Sequence, residues 1–225
     1  MAKIRTNQTD WKFVGGRLCL DFVNTVGGRA CSANRNRGRD YTDIVLRDKL
    51  AEFSDLLEWS RFAGVANRTQ FRNLARRAAI HRQEAYATLS RAVTLREALY
   101  RIFKSAVQGW RPPEADLEVL SRELRHARMR ERIIHTGGAF RSTWEDRATD
   151  LDRVLWPVAL SAADLLTSGD LSRLRQCGGN ECGWMFLDIS RNRSRQWCDM
   201  KDCGNREKVR RFRKRQLRNH GRMRA

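Results

Sequence analysis

Apolar residues recur at helical spacing through most of the chain. Leu50, Phe53, Leu56, Leu57, Trp59 and Phe62 fall on one face, and Gly64 supplies a stop. From about Thr69 to about Val107, Leu74, Ala78, Tyr86, Leu89, Val93, Leu95, Leu99, Ile102 and Phe103 form apolar stripes. That length predicts two helices with a break, ended by Gly109 and Pro112-Pro113. A further helix is predicted from Glu114 to about Ala127, with Leu117, Leu120 and Leu124 on one face. Another runs from about Asp150 to Leu166, where Pro157 either kinks it or marks its true first turn. Two segments break the helical pattern. Ile133 to Thr136, Gly137-Gly138 and Ala139 to Trp144 predict a β-hairpin with a glycine turn. Phe13 to Thr25 predicts a short hairpin around Gly15-Gly16 that leads into a buried strand or helix turn, followed by a Gly-, Asn- and Arg-rich loop over 27–40.

The pattern changes after Thr167-Ser168-Gly169-Asp170, the predicted boundary between a domain over 1–170 and a small module over 171–225. Leu171 to Gln176 predicts a strand or turn, and the bulky run Trp184-Met185-Phe186-Leu187 a strand covering whatever the cysteines hold. Cys177, Cys182, Cys198 and Cys203 form two C-x4-C pairs separated by fifteen residues. Four thiolates delivered as two close pairs suit a tetrahedral structural zinc, with an intervening hairpin, tipped by Arg191 to Arg195, bringing the pairs together. No Cys or His lies between the pairs, so the donor set predicts a closed site with one Zn2+ rather than a catalytic one. In so small a module the metal replaces a core, and loss of one cysteine is predicted to unfold it while sparing the helical domain.

Length allows one sizeable domain plus an appendage. Charge then sharpens the division. The formal net charge of +19 attracts polyanions, nucleic acid first. From Leu171 onward there are 16 Lys/Arg against 5 Asp/Glu, and in the preceding 170 residues 29 against 21, so net positive charge is several-fold denser beside the cysteines. Arg206 to Arg218 suits a helix capped by Asn205, with Val209, Phe212 and Leu217 as a narrow stripe for docking near Trp184 or Trp197. Arg206, Arg210 and Arg213 line one flank of that helix, and Lys208, Arg211 and Arg215 the other; Lys214 lies in the same stretch. With Arg191, Arg193 and Arg195 they are the predicted nucleic-acid contacts, and Arg218 to Ala225 is read as a solvated tail.

The run from Cys177 and Cys182-Gly-Trp-Met-Phe-Leu-Asp188 through Trp197-Cys198 to Cys203-Gly204-Asn205-Arg206 resembles the CGNR zinc finger. Leu18 to Thr25 resembles the opening of the ABATE domain, which precedes that finger in bacterial regulators proposed to be stress-induced, and Leu95 to Tyr100 fits the same domain. The resemblance covers most of the chain and implies zinc and DNA binding, with an N-terminal domain of unknown ligand.

In that N-terminal domain Asp21, Asn24 and Thr25 are a polar cluster with two readings. They line a small-molecule pocket with Arg96 and Trp156 nearby, or they cap a helix and tie the following loop by local hydrogen bonds. His81, His126, His135 and His220 lack metal-ligand spacing, and there is no phosphate-cradling glycine loop, nucleophile elbow or C-x-x-C pair, so no enzyme is expected. Cys19 reads as a core hydrophobe and Cys31 as a loop thiol. No stretch approaches the roughly 20 apolar residues of a membrane span, and no apolar leader follows Met1, which predicts a cytoplasmic, nucleoid-associated protein. The fold expected is mainly α: a helical sensor or oligomerisation domain with one or two short hairpins, then a four-cysteine module with a hairpin and a basic C-terminal helix. Its expected function is DNA-binding regulation, with homodimerisation and a small-molecule effector as further expectations. RNA binding, with Trp184 and Trp197 stacking on bases, is the alternative, as is a ligand-binding N-terminal domain tethered by the finger.

Overall fold

The computed structural model describes residues 11–31, 43–145 and 150–222, with the side chains of residues 30–31 and 217–222 left aside. Residues 32–40 of the loop predicted over 27–40, the thiol of Cys31, the side chains of Leu217 and His220 and the tail beyond 222 lie outside the described residues. Within them the chain forms α1 (Leu18–Val23), β1 (Arg29–Cys31), β2 (Asp43–Val45), α2 (Phe53–Phe62), α3 (Arg68–Ile80), α4 (Arg82–Gln108), α5 (Glu114–Arg130), β3 (Glu131–Thr136), β4 (Ala139–Trp144) and α6 (Trp156–Thr167). The C-terminal module adds β5 (Leu174–Gln176), β6 (Met185–Leu187) and α7 (Asn205–Arg222). No helix among the described residues is long and apolar enough to cross a membrane.

Local chemistry sets most boundaries. Glu52 and Asp55 close a capping box at the start of α2, and Asn67 and Gln70 close another at α3. The predicted break between two helices falls at His81, whose backbone leaves the helical region. Pro157 occupies the first turn of α6, where its missing N–H costs nothing, after a 3-10 turn over Leu151–Leu155. The hairpin β3–β4 forms in register around Gly137-Gly138 as its sequence predicts.

Two expectations fail near the N-terminus. Gly15-Gly16 is not a hairpin turn, because the chain goes directly from bends into α1, whose Cys19, Leu20, Phe22 and Val23 are buried. Part of the predicted loop over 27–40 is also strand: Arg29–Cys31 pairs antiparallel with Asp43–Val45.

The long helix α4 is the axis of the core. Leu95, Leu99 and Phe103 are fully buried among α1, α2, α5 and α6, and Phe22 meets Trp59 with ring centroids 5.1 Å apart. The same core takes in Leu174, Met185 and Leu187 from the C-terminal module. Beside it runs a belt of paired charges. Arg96, 1 % exposed, grips Asp48 with both nitrogens (2.7 and 2.6 Å) and gives Nε to Glu97 (2.9 Å). Arg29 closes on Glu97 from the other side (2.6 and 3.0 Å) and lies over the Tyr100 ring at 3.8 Å. Burial pushes the Glu97 carboxyl up, but the two guanidiniums outweigh it and hold it below the usual carboxylate range. Tyr100 donates to Asp43, Lys104 reaches Asp43 at 3.1 Å, and Gln176 of the C-terminal module donates to the Tyr100 oxygen at 2.9 Å.

Candidate metal centre and basic helix

The first cysteine pair sits in the turn of a β-hairpin. β5 and β6 pair in the register Leu174–Leu187, Arg175–Phe186 and Gln176–Met185, and Cys177 N–H donates to the Trp184 carbonyl at 2.8 Å to extend the ladder. The hairpin therefore encloses the first pair rather than joining the two pairs, which corrects the predicted arrangement. Residues 188–197 carry the chain across instead as a loop tied to Asp188. That carboxylate accepts from Ser190 N–H (2.9 Å), Ser190 Oγ (2.5 Å) and Arg195 N–H (2.9 Å).

The second pair is set by a π-helical turn, Met200–Gly204, entered at Asp199, whose side chain accepts from Lys201 N–H at 2.8 Å. A Cβ at Gly204 would lie 2.6 Å from Met200 Sδ and 3.3 Å from Trp197 Cδ1, so a larger residue there would displace the Met200 side chain. All four Sγ atoms lie within 4.8 Å of one another, with Cys182–Cys198 at 3.7 Å and Cys198–Cys203 at 3.6 Å. A tetrahedral zinc with Zn–S bonds of about 2.3 Å needs sulfur separations of about 3.8 Å. The four buried thiols therefore fit one zinc ion, for which they would supply a closed tetrathiolate.

Hydrogen bonds favour charge on the Cys177 sulfur at the expense of Cys182 and Cys198, whose thiols are pushed up as its donors. Bonds from the Cys182 and Cys198 side chains, joined by the N–H groups of Cys198 and Gly179 (3.3 and 3.4 Å), hold the Cys177 thiol far below its ordinary range despite burial. Arg206 Nη2 donates to Cys203 Sγ at 3.2 Å while its Nε pairs with Asp202 at 3.1 Å. Arg195 donates to the carbonyls of Trp197 (2.9 Å) and Cys198 and stacks over Phe186 at 4.3 Å.

The predicted nucleic-acid residues thus separate into two groups. Arg195 and Arg206 hold the metal site, while Arg210 (2.7 and 2.9 Å) and Arg211 (3.0 Å) are paired to Glu207. Arg191, Arg193, Lys208, Arg213 and Lys214 are exposed and have no side-chain partner among the described residues. Asn205 does not cap α7. Its amide donates to the Lys201 carbonyl at 3.1 Å, because the π turn runs straight into the helix and Asp199 takes the capping place. Nor does the predicted stripe dock on the finger, since Val209 is 49 % and Phe212 62 % exposed. α7 is held at its first turn and then projects away from the rest of the described chain.

Asp21, Asn24 and Thr25 direct their polar atoms to the protein itself. Asn24 donates to the Met185 carbonyl (2.8 Å) and accepts from its N–H (2.9 Å), Thr25 donates to the Phe22 carbonyl (2.7 Å), and Asp21 accepts from Gly15 N–H (2.8 Å). Arg96 reaches Thr25 at 3.5 Å, and Trp156 packs near Trp144. Sequence reasoning missed Asp188 and Asn24 as organisers of the finger. The only signal of either was a polar residue inside an apolar run.

A four-thiolate zinc module set into a helical domain places the protein among zinc-binding, regulator-like proteins. The ABATE family model, described as "Putative stress-induced transcription regulator", matches residues 16–169, and the chain belongs to that family. The CGNR zinc finger model matches residues 173–216. No curated protein matches the chain.

Proposed function

We propose that the protein is a zinc-dependent DNA-binding transcriptional regulator, not an enzyme, acting in the cytoplasm at the nucleoid. In this reading residues 1–170 are a sensing or oligomerising domain and 171–225 the finger, with Cys177, Cys182, Cys198 and Cys203 as the zinc ligands. The observation that carries it is the projecting α7, anchored at the metal by Cys203 and Arg206 and presenting Lys208, Arg213 and Lys214 to solvent. A basic helix on a rigid mount is a common way to grip phosphates or enter a major groove. Arg191 and Arg193 on the neighbouring loop extend the same charge, and a homodimer would double the short footprint of one finger. Trp184 favours DNA over RNA in this proposal: it is 8 % exposed and gives its indole N–H to the Val26 carbonyl at 2.9 Å, so it offers no face for base stacking.

The test is titration of duplex DNA and of a structured RNA across a range of salt. Duplex binding is expected to weaken steeply with salt, and Lys208→Ala/Arg213→Ala/Lys214→Ala to flatten the log–log slope by about 2 to 3. A slope near zero for the unaltered protein, or preference for the RNA, sinks the proposal.

A further inference from the structure

Beyond its first turn α7 carries two large apolar side chains, Val209 and Phe212, that stand in solvent. Residues three apart share a helix face, so the two lie one above the other. Val209 also lines a shallow recess of about 430 Å³ with Asn205, Arg206, Arg210 and Arg213. The charged ends of Arg206 and Arg210 are drawn off to Asp202 and Glu207, and the stems they leave in the recess are aliphatic.

The charges of the helix divide around this apolar stripe. Lys208, four residues before Phe212, and Arg215, three residues after it, lie on one flank; Arg213, four residues after Val209, lies on the other. All three are exposed and have no side-chain partner among the described residues. Lys214 and the single acid of α7, Glu207, fall on the opposite face, and Glu207 holds Arg210 and Arg211 there. The metal thiolates and Asp202 sit at the foot of the helix, where Arg206 faces both and Lys12 pairs with Asp202. Asn205, at the foot of the stripe, gives its amide to the Lys201 carbonyl. An apolar stripe bordered on both sides by uncancelled cations does not suit a second copy of itself, because facing two of them would bring like charges together. It suits the major groove, where base edges run between two phosphate backbones and thymine presents a methyl group.

We propose that Val209 and Phe212 contact thymine methyl groups in the major groove, so that α7 selects sites with A·T pairs at fixed positions, while Lys208, Arg213 and Arg215 reach the phosphates on either side. The inference rests on the DNA-binding reading above and adds a base preference to it. Cations on phosphates hold any sequence equally. The exposed stripe between them supplies discrimination, since a methyl group meets apolar surface only where thymine stands.

The zinc-loaded full chain is used to select sites from a pool of random duplexes, and the selected duplexes are remade with deoxyuridine in place of thymidine, which removes only the methyl groups. The selection is expected to fix one or more A·T positions, and uracil at them to weaken binding by about threefold to tenfold, as for the loss of one or two buried methyl groups. Val209→Ala/Phe212→Ala should bind the thymine and uracil duplexes alike, with the salt slope of the unaltered protein, because no phosphate contact is lost. Both side chains are exposed and alanine favours a helix, so the variant should fold. Salt-dependent binding with no fixed A·T position, with equal affinity for thymine and uracil, or with the uracil penalty kept in the variant overturns this inference and leaves the DNA-binding reading standing. Absence of salt-dependent binding removes both. Light scattering of the DNA-free protein adds a further check: a dimer that dissociates in the variant assigns the stripe to a second copy and also overturns the inference.

Discussion

Asp21 shows how a single carboxyl can be held against its own preference. Burial raises its pKa to about 6, although the backbone N–H groups of Gly15 and Val14 oppose the shift. For an acid whose folded pKa is raised, the native state binds its proton more tightly than the unfolded chain does. Its favourable contribution is therefore complete below the unfolded carboxylate range of about 4 and is lost as pH rises through about 6. Asp21→Asn keeps an acceptor for Gly15 and removes the charge. It is expected to raise stability at pH 7.5 by about 1 to 2 kcal/mol, with the gap to the unaltered protein narrowing as pH falls towards 5. Urea melts of both proteins across that range would show it, and a pH-independent gap would refute the assignment. Asn24 belongs to the same scale. Its polarity was legible in the sequence, but its role as a substitute strand partner for Met185 was not, because that partner lies 161 residues away.

Among the elements, α7 departs furthest from its sequence pattern while keeping its predicted type. Charge and periodicity correctly indicated a helix beside the cysteines. They also suggested docking of Val209 and Phe212, which does not occur, because the helix leaves the π turn with only its first residues against the finger. The exit follows the π turn over Met200–Gly204, which runs straight into the helix, and a pattern of apolar residues carries no such information. Glu207 tempers the charge of this helix: Arg210 and Arg211 hold its carboxyl below the usual range, and it in turn occupies them. If α7 grips DNA, Glu207→Gln is expected to tighten duplex binding several-fold at low salt and to steepen the salt slope by about 1, as freed arginines reach phosphates. Salt-dependent anisotropy titrations decide it, and an unchanged slope would mean that Arg210 and Arg211 face away from the duplex. The predicted hairpin β3–β4 needed no such long-range information. Its turn glycines and the two strands they join are adjacent in the chain.

At the scale of the molecule, the finger and the helical domain interlock. Leu174, Met185 and Leu187 complete the main core, Arg29 N–H bonds the Glu181 carbonyl at 3.0 Å, and Leu187 N–H bonds the Gly15 carbonyl at 2.9 Å. Gly28 passes so close that a Cβ would lie 2.2 Å from that Glu181 oxygen. A module that folds and unfolds alone, as sequence suggested, is hard to reconcile with such contacts. Zinc contributes on the order of 10 kcal/mol to folding in finger peptides, and here part of that should reach α1 and α4. Removal of zinc by a strong chelator is therefore expected to lower the melting midpoint of the helical domain and to reduce amide protection in α1. Hydrogen exchange with and without zinc measures this, and an undisturbed α1 would restore the independent finger.

What the sequence determined by itself is chemistry that depends on neighbours along the chain. Helix positions follow from 3.6-residue periodicity, the hairpin from its glycines, the metal from two cysteine pairs, and the basic helix from local charge density. What only the tertiary structure decided depends on residues far apart: the pairing of Arg96 with Asp48 and of Arg29 with Glu97, the bonds from Asn24 to Met185, and the seating of β5 and β6 against α4 and α1. Hydrogen bonds and ion pairs saturate. A cation's availability therefore becomes known only once its spatial neighbours are, and for Arg29 and Arg96 those neighbours are distant in sequence.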